Sequence, residues 1–178
     1  MGRSAARRLV LCHTLESVAL AVWVGGLVVI VGAVIPAVFN SFGMEPGGRF
    51  LTRVFDGYNR LTIAAMALLA GTTGWRLWRF RGEEGGAAGG RVSRTEGILL
   101  SLMIAIATLI ILALGPASVA LQEQAFAAQG EAAKKEAYDA FFRTHTIVRA
   151  LYMVNLGLGI GLLAVKVSRW AGMKQTDA

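Results

Sequence analysis

Cysteine is almost missing from this chain. Cys12 stands alone, so an intrachain disulfide and any Cys-x-x-Cys metal or redox pair are excluded. Histidine is nearly as scarce, with His13 and His145 only. No phosphate-binding glycine loop, Gly-x-Ser-x-Gly or His-Glu-x-x-His occurs, which removes support for the enzyme classes that those motifs carry. The methionines are scattered without Met-x-Met spacing, and no metal site is expected. Charge is also thin, at 16% of residues. It crowds into short gaps, and those gaps are what separate the long apolar runs.

What is present is hydrophobicity. Apolar residues make up 55% of the 178 positions, above the ~45–50% of soluble domains. Four apolar stretches stand out, at residues 15–39, 61–78, 98–114 and 146–167. A hydrocarbon layer ~30 Å thick needs ~20 apolar residues in a helix. Within it each backbone N–H and C=O must be paired inside the segment, which makes helix the default. The expected fold is all-α: an antiparallel four-helix bundle in a membrane, forming one transmembrane domain with helical extensions outside. Lipid is the expected partner.

The formal net charge of +7 would ordinarily suggest nucleic acid. No helix-turn-helix, zinc-finger or RNA-binding signature accompanies it, and no nucleic-acid partner is expected. The positive-inside rule accounts for the bases better. Arg3, Arg7 and Arg8 lead the chain. Arg76, Arg79, Arg81, Arg91 and Arg94 occupy the middle gap, and Lys166, Arg169 and Lys174 end the chain. The expected location is therefore a cell membrane of the bacterial inner-membrane type, multi-pass, with both termini cytoplasmic. A signal peptide has an h-region of ~7–15 residues. Here apolar character runs from Leu9 to Phe39, so the first span is expected to remain uncleaved.

Finer features divide the chain. Gly43, Pro46, Gly47 and Gly48 precede Phe50, Val54, Phe55 and Tyr58 at helical spacing, which predicts a short amphipathic helix at the outer interface. Gly82 to Gly90 reads as a flexible loop. Ser93 and Glu96 have capping-box spacing at the start of the third helix. Gly115-Pro116 is expected to interrupt the chain after the third span. Two helical pieces outside the membrane, separate or extending the third and fourth spans, should follow from Ala117 to Arg143, broken at Gly130 and anchored by Phe126, Tyr138, Phe141 and Phe142.

Polar residues within the spans are the candidates for chemistry. On the first helix His13, Glu16, Leu20, Trp23 and Leu27 share a face. Ionisable groups at membrane depth are costly and usually face protein or a water-filled cavity. Glu16 is thus either a proton or cation site, with His13 one turn away, or an interfacial carboxylate neutralised by Arg8 or the arginines of the middle gap. The fourth helix carries His145, Arg149, Tyr152 and Asn155; the Asn155 amide is expected to bond a neighbouring helix. Gly25 and Gly26, Gly71 and Gly74, and Gly157 and Gly161 are the expected close-packing positions. Two histidines raise the question of haem. Axial ligands need one depth, whereas His13 begins an outward helix and His145 an inward one. No cofactor is expected, and a single-histidine haem or copper site at His13 or His145 is the alternative.

The order of these pieces resembles the four-span TMEM205-like membrane proteins, the DUF4149 family. The residues carrying the resemblance are His13, Trp23-Val24-Gly25-Gly26, Pro36 to Phe39, Gly48-Arg49-Phe50, Phe55 to Tyr58, Pro116, and Phe141 to His145 leading to Asn155. The opening also resembles, more distantly, CopD-like copper-resistance proteins and the bacterial haem-linked protoporphyrinogen oxidase. The aromatic and basic pattern that follows the histidine in that oxidase is absent here. The resemblance implies a polytopic membrane protein whose activity is unassigned. The first reading is a non-enzymatic protein of this type that takes part in small-solute or ion handling. A redox protein and a membrane scaffold docking through residues 117–142 are the other readings. Four spans seldom enclose a pore alone, so a homodimer is also expected.

Overall fold

The computed structural model describes residues 3–80 and 91–176, with side-chain surroundings for 7–80 and 91–169. The expected flexible loop at Gly82 to Gly90 lies outside the described residues. Four long helices make up the structure, and no strand occurs among the described residues. We label them α1 (residues 3–42), α2 (Met44–Arg79), α3 (Arg94–Ala127) and α4 (Glu131–Thr176). Three of them, α1, α3 and α4, are long and apolar enough to cross a membrane. The second expected span lies in α2, which falls outside that set because Thr62, Thr72, Thr73 and Arg76 dilute its apolar residues.

The helices run up and down. At one end Glu16 of α1, Arg76 of α2, Glu96 of α3 and Lys166 of α4 meet. At the other, Gly47 of α2 approaches Phe39 of α1, Gly48 approaches Phe126 of α3, and Phe126 meets the Tyr138 ring of α4. We call these the charged end and the aromatic end. Between them Leu20, Trp23, Leu27, Leu69, Leu100, Met103, Ala107 and Leu162 form the apolar core.

The outer surface is apolar as well. Only 28%, 22% and 22% of the three apolar windows is buried, so most of each faces outward. Leu112 and Trp78 are each 73% exposed. An apolar surface this extensive is suited to lipid rather than water.

Two boundaries differ from expectation. The segment from Phe50 to Tyr58 is not a separate interfacial helix. Nothing in it stops a helix once Gly43, at φ 74°, has made the turn, so it continues unbroken into the second apolar stretch. Gly115-Pro116 likewise does not end the third helix. Proline removes one N–H and crowds the carbonyl one turn back. The helix absorbs this by widening to a π turn at Ile110–Leu114, then runs on as Gly115–Ala127. Pro36 does the same, after a π turn at Ile30–Val34. A third π turn, Ala21–Gly25, has no proline behind it. Gly130, at φ 86°, makes the turn into α4.

Candidate functional site

The charged end brings together the last turn of α2, the first turn of α3 and interior turns of α1 and α4. Glu16 is 0% exposed, Arg76 and Glu96 1%, and Lys166 6%. Arg76 Nη1 donates to Glu16 Oε1 and Oε2 at 3.1 and 3.0 Å and to Glu96 Oε1 at 2.9 Å. Lys166 Nζ donates to Glu16 Oε2 at 2.7 Å and Glu96 Oε1 at 2.6 Å. Arg169 Nη1 donates to Glu96 Oε2 at 2.9 Å. His13 Nδ1 stands 3.5 Å from Glu16 Oε2. Two carboxylates thus bridge cations from α2 and α4. Four elements are tied by one network.

The backbone entering α3 joins it. The Arg91 carbonyl accepts from Arg76 Nη2 at 3.3 Å and from Arg169 Nη2 at 2.6 Å. Two residues on, Ser93 Oγ caps α3 by accepting from the Glu96 N–H at 3.1 Å. A capping box would turn the Glu96 carboxylate back to the Ser93 N–H. Here the carboxylate is given to Arg76, Lys166 and Arg169 instead. Charges this deep are tolerable because each is paired and hydrogen-bonded.

Above the cluster comes an apolar layer. Leu20, Leu69, Met103 and Leu162 are all 0% exposed. Beyond it polar groups return. Tyr58 donates to the Trp23 carbonyl at 2.8 Å, inside the third π turn. Tyr152 donates to Asn59 Oδ1 at 3.0 Å, and Asn155 Nδ2 donates to the Met103 carbonyl at 3.3 Å. The Tyr58 and Tyr152 ring centroids lie 6.4 Å apart. Thr73 Oγ1, one turn from Arg76 on α2, and Asn155 Oδ1 have no hydrogen-bond partner among the described residues.

The expected candidates are sorted by this arrangement. The face of α1 bearing Glu16, Leu20, Trp23 and Leu27 is buried, with His13 at its edge. Glu16 is neutralised by Arg76 of the middle gap, and also by Lys166, rather than by Arg8. On α4 the stripe divides: Asn155 is buried and Tyr152 half-buried, while His145 and Arg149 are exposed and stay out of the interior. Lys166 lies about six turns, roughly 30 Å, beyond His145 along α4. Since Lys166 is at the His13 end, the two histidines cannot share one haem within a chain. No group of three metal-ligating side chains occurs among the described residues.

The glycines divide too. A Cβ on Gly26 would meet the Tyr58 ring at 3.1 Å. A Cβ on Gly25, Gly71, Gly74 or Gly157 would meet nothing within 4 Å, and one on Gly161 only Leu99 at 4.0 Å. The tight contact on α4 is at Gly159, where a Cβ would lie 2.6 Å from Val24 Cγ2 and 3.2 Å from Met103 Cε.

Sequence reasoning missed Glu96, Arg76, Lys166 and Arg169 as one group. Glu96 reads as a cap and the others as inner-boundary charges. The available signal was that Lys166 falls inside an apolar stretch and Arg76 near the end of another.

Fold and site together define a class: a membrane-type four-helix bundle, apolar outside, fastened at one end by a buried ionic cluster. The chain belongs to the DUF4149 family, a domain of unknown function, whose model matches residues 18–127. The match includes Arg76 and Glu96 and leaves Glu16 and Lys166 outside it. No curated protein and no solved structure matches.

Proposed function

We propose that this is a multi-pass cell-membrane protein that handles a proton or small ion through the interior of its bundle. All four helices cross. The charged end and both termini lie on the cytoplasmic side, where the bases of the middle gap and the chain ends belong by the positive-inside rule. α2 crosses despite its lower hydropathy, because Thr62, Thr73 and Arg76 turn inward and are buried by the other three helices.

One observation carries the reading. Two fully buried carboxylates, Glu16 and Glu96, share the same arginine and lysine at the end of an otherwise apolar bundle. Ionisable groups at membrane depth mark ion paths and proton relays by default. The polar groups beyond the Leu20–Met103 layer continue in the same direction. In this reading the cluster is the cytoplasmic mouth, and the leucine and methionine layer is the closed barrier above it. A layer this tight leaves no open pore in one chain, so a second copy is the partner that this reading calls for.

Flux measurement in proteoliposomes tests it. The protein should dissipate a proton or monovalent-cation gradient faster than protein-free vesicles, and Glu16→Gln should change that rate. Equal rates with and without the protein would discard ion handling and leave the cluster as a structural fastener in a scaffold.

A further inference from the structure

Arg91 and Arg94 stand at the entry to α3 with exposed side chains. The backbone that carries them is fixed. The Arg91 carbonyl accepts from Arg76 and Arg169. Ser93 closes the first turn, its hydroxyl accepting from the Glu96 N–H and its carbonyl from the Gly97 N–H. Neither guanidinium has an ion-pair partner among the described residues. The described acids at this end are Glu16 and Glu96, and every oxygen of their carboxylates already accepts from Arg76, Lys166 or Arg169. At the aromatic end, by contrast, Arg49 is paired with Glu45 and Glu123, and Arg60 with Asp56.

The helix that follows these arginines is apolar on its outer side. Ile98, Leu102 and Leu109 succeed Arg94 at intervals that keep to one side of a helix, and all three are exposed. The arginines therefore head an outward apolar stripe. Trp78 fixes their depth. It is exposed on the last turn of α2, the turn whose Arg76 reaches the Arg91 carbonyl, and an exposed indole at the end of a span marks the headgroup level.

These features specify an occupant. Two cations at the head of an apolar stripe complement an amphiphile with an anionic head and a hydrocarbon body. Guanidinium groups suit phosphate oxygens by shape as well as charge. A free anion would leave the stripe unused. A zwitterionic headgroup brings a cation of its own, which meets the arginines with like charge. We infer that Arg91, Arg94 and the Ile98–Leu109 stripe of α3 form a docking surface for an anionic phospholipid, its phosphate held by the two guanidinium groups and an acyl chain lying along the stripe. The inference rests on the bundle lying in a bilayer and not on ion flux; a purely structural bundle would hold the same lipid.

Native mass spectrometry of the full chain tests it. The protein is extracted from vesicles of equimolar phosphatidylglycerol and phosphatidylcholine with the same acyl chains, and the retained lipid is identified by mass. Phosphatidylglycerol should exceed phosphatidylcholine by ~10-fold or more, the scale of two arginines at a membrane surface. Arg91→Gln combined with Arg94→Gln should bring the two lipids near parity. That variant leaves the buried cluster and the Ser93 cap in place, because both side chains are exposed and the Arg91 carbonyl is kept. Arg60→Gln, at the other end, should leave the ratio unchanged. Equal retention by the wild type overturns the docking surface. So does an excess of phosphatidylglycerol that survives in the double variant, an equal fall in Arg60→Gln, or retention of inorganic phosphate in place of lipid.

Discussion

The two ends of the bundle use the same chemistry in opposite settings. At the charged end Arg76 binds Glu16 and Glu96 with every partner at most 1% exposed. At the aromatic end Arg49 binds Glu123 at 3.0 Å and Glu45 at 3.4 Å, with all three side chains about half exposed. Arg60 and Asp56 pair at 3.1 Å while 80% and 65% exposed. Exposed pairs are screened and contribute ~0–1 kcal/mol. In a buried pair the charges have lost their water, and removing one partner strands the other at ~3–5 kcal/mol. An ion pair's weight here is set by its surroundings, not by its length. The aromatic end is held instead by ring contacts, with Phe126, Tyr138, Phe142, Phe141 and His145 in series and Arg49 5.4 Å over Phe126.

The comparison can be broken from either side. The largest effect is expected from Glu96→Gln, which leaves Arg76, Lys166 and Arg169 facing one carboxylate. Stability in detergent, read by reversible unfolding, should fall by ~3–5 kcal/mol. Replacing Glu16 and Lys166 together with leucine should cost less than either single change, because no charge is left unpaired; a double variant worse than both singles would refute the electrostatic account. Gly159→Ala should cost ~1–3 kcal/mol by overpacking against Val24 and Met103, while Gly157→Ala should be near neutral in the same assay. Ser93→Ala removes the α3 cap and should cost ~1 kcal/mol. The smallest effect is expected at the other end, where Arg60→Ala should change stability by less than ~1 kcal/mol. A loss there as large as that of Glu96→Gln would erase the distinction between the two ends.

Much of the architecture was legible in advance. Apolar runs of bilayer length imply helices whatever their neighbours do, and the short gaps imply reversal of direction. The Ser93 cap and the break at Gly130 were legible for the same local reason. Helical extensions of the third and fourth spans were expected too, but not the unbroken run of α2 from its Gly-rich start. Pro116 and the Gly-rich start of α2 look like breakers, and only the structure shows a π turn carrying α3 past the one and α2 running unbroken from the other. The burial of Glu16 could be anticipated from its face of α1. An arginine of the middle gap was expected beside it, and Arg76 is there; Lys166, 150 residues away in the chain, could not be anticipated, nor could the sharing of both cations with Glu96. Nothing local separates a lysine that snorkels outward from one that is drawn inward.

Hydropathy and composition by themselves determined the solvent, the helical class and which residues could not lie idle. A charge or an amide in a long apolar run must find a partner, and that holds before any helix is placed. Which partner it finds was decided by the tertiary structure alone. Electrostatics and hydrogen bonding act over a few ångströms, and only the antiparallel packing of four helices brings Glu16, Arg76, Glu96 and Lys166 within that range.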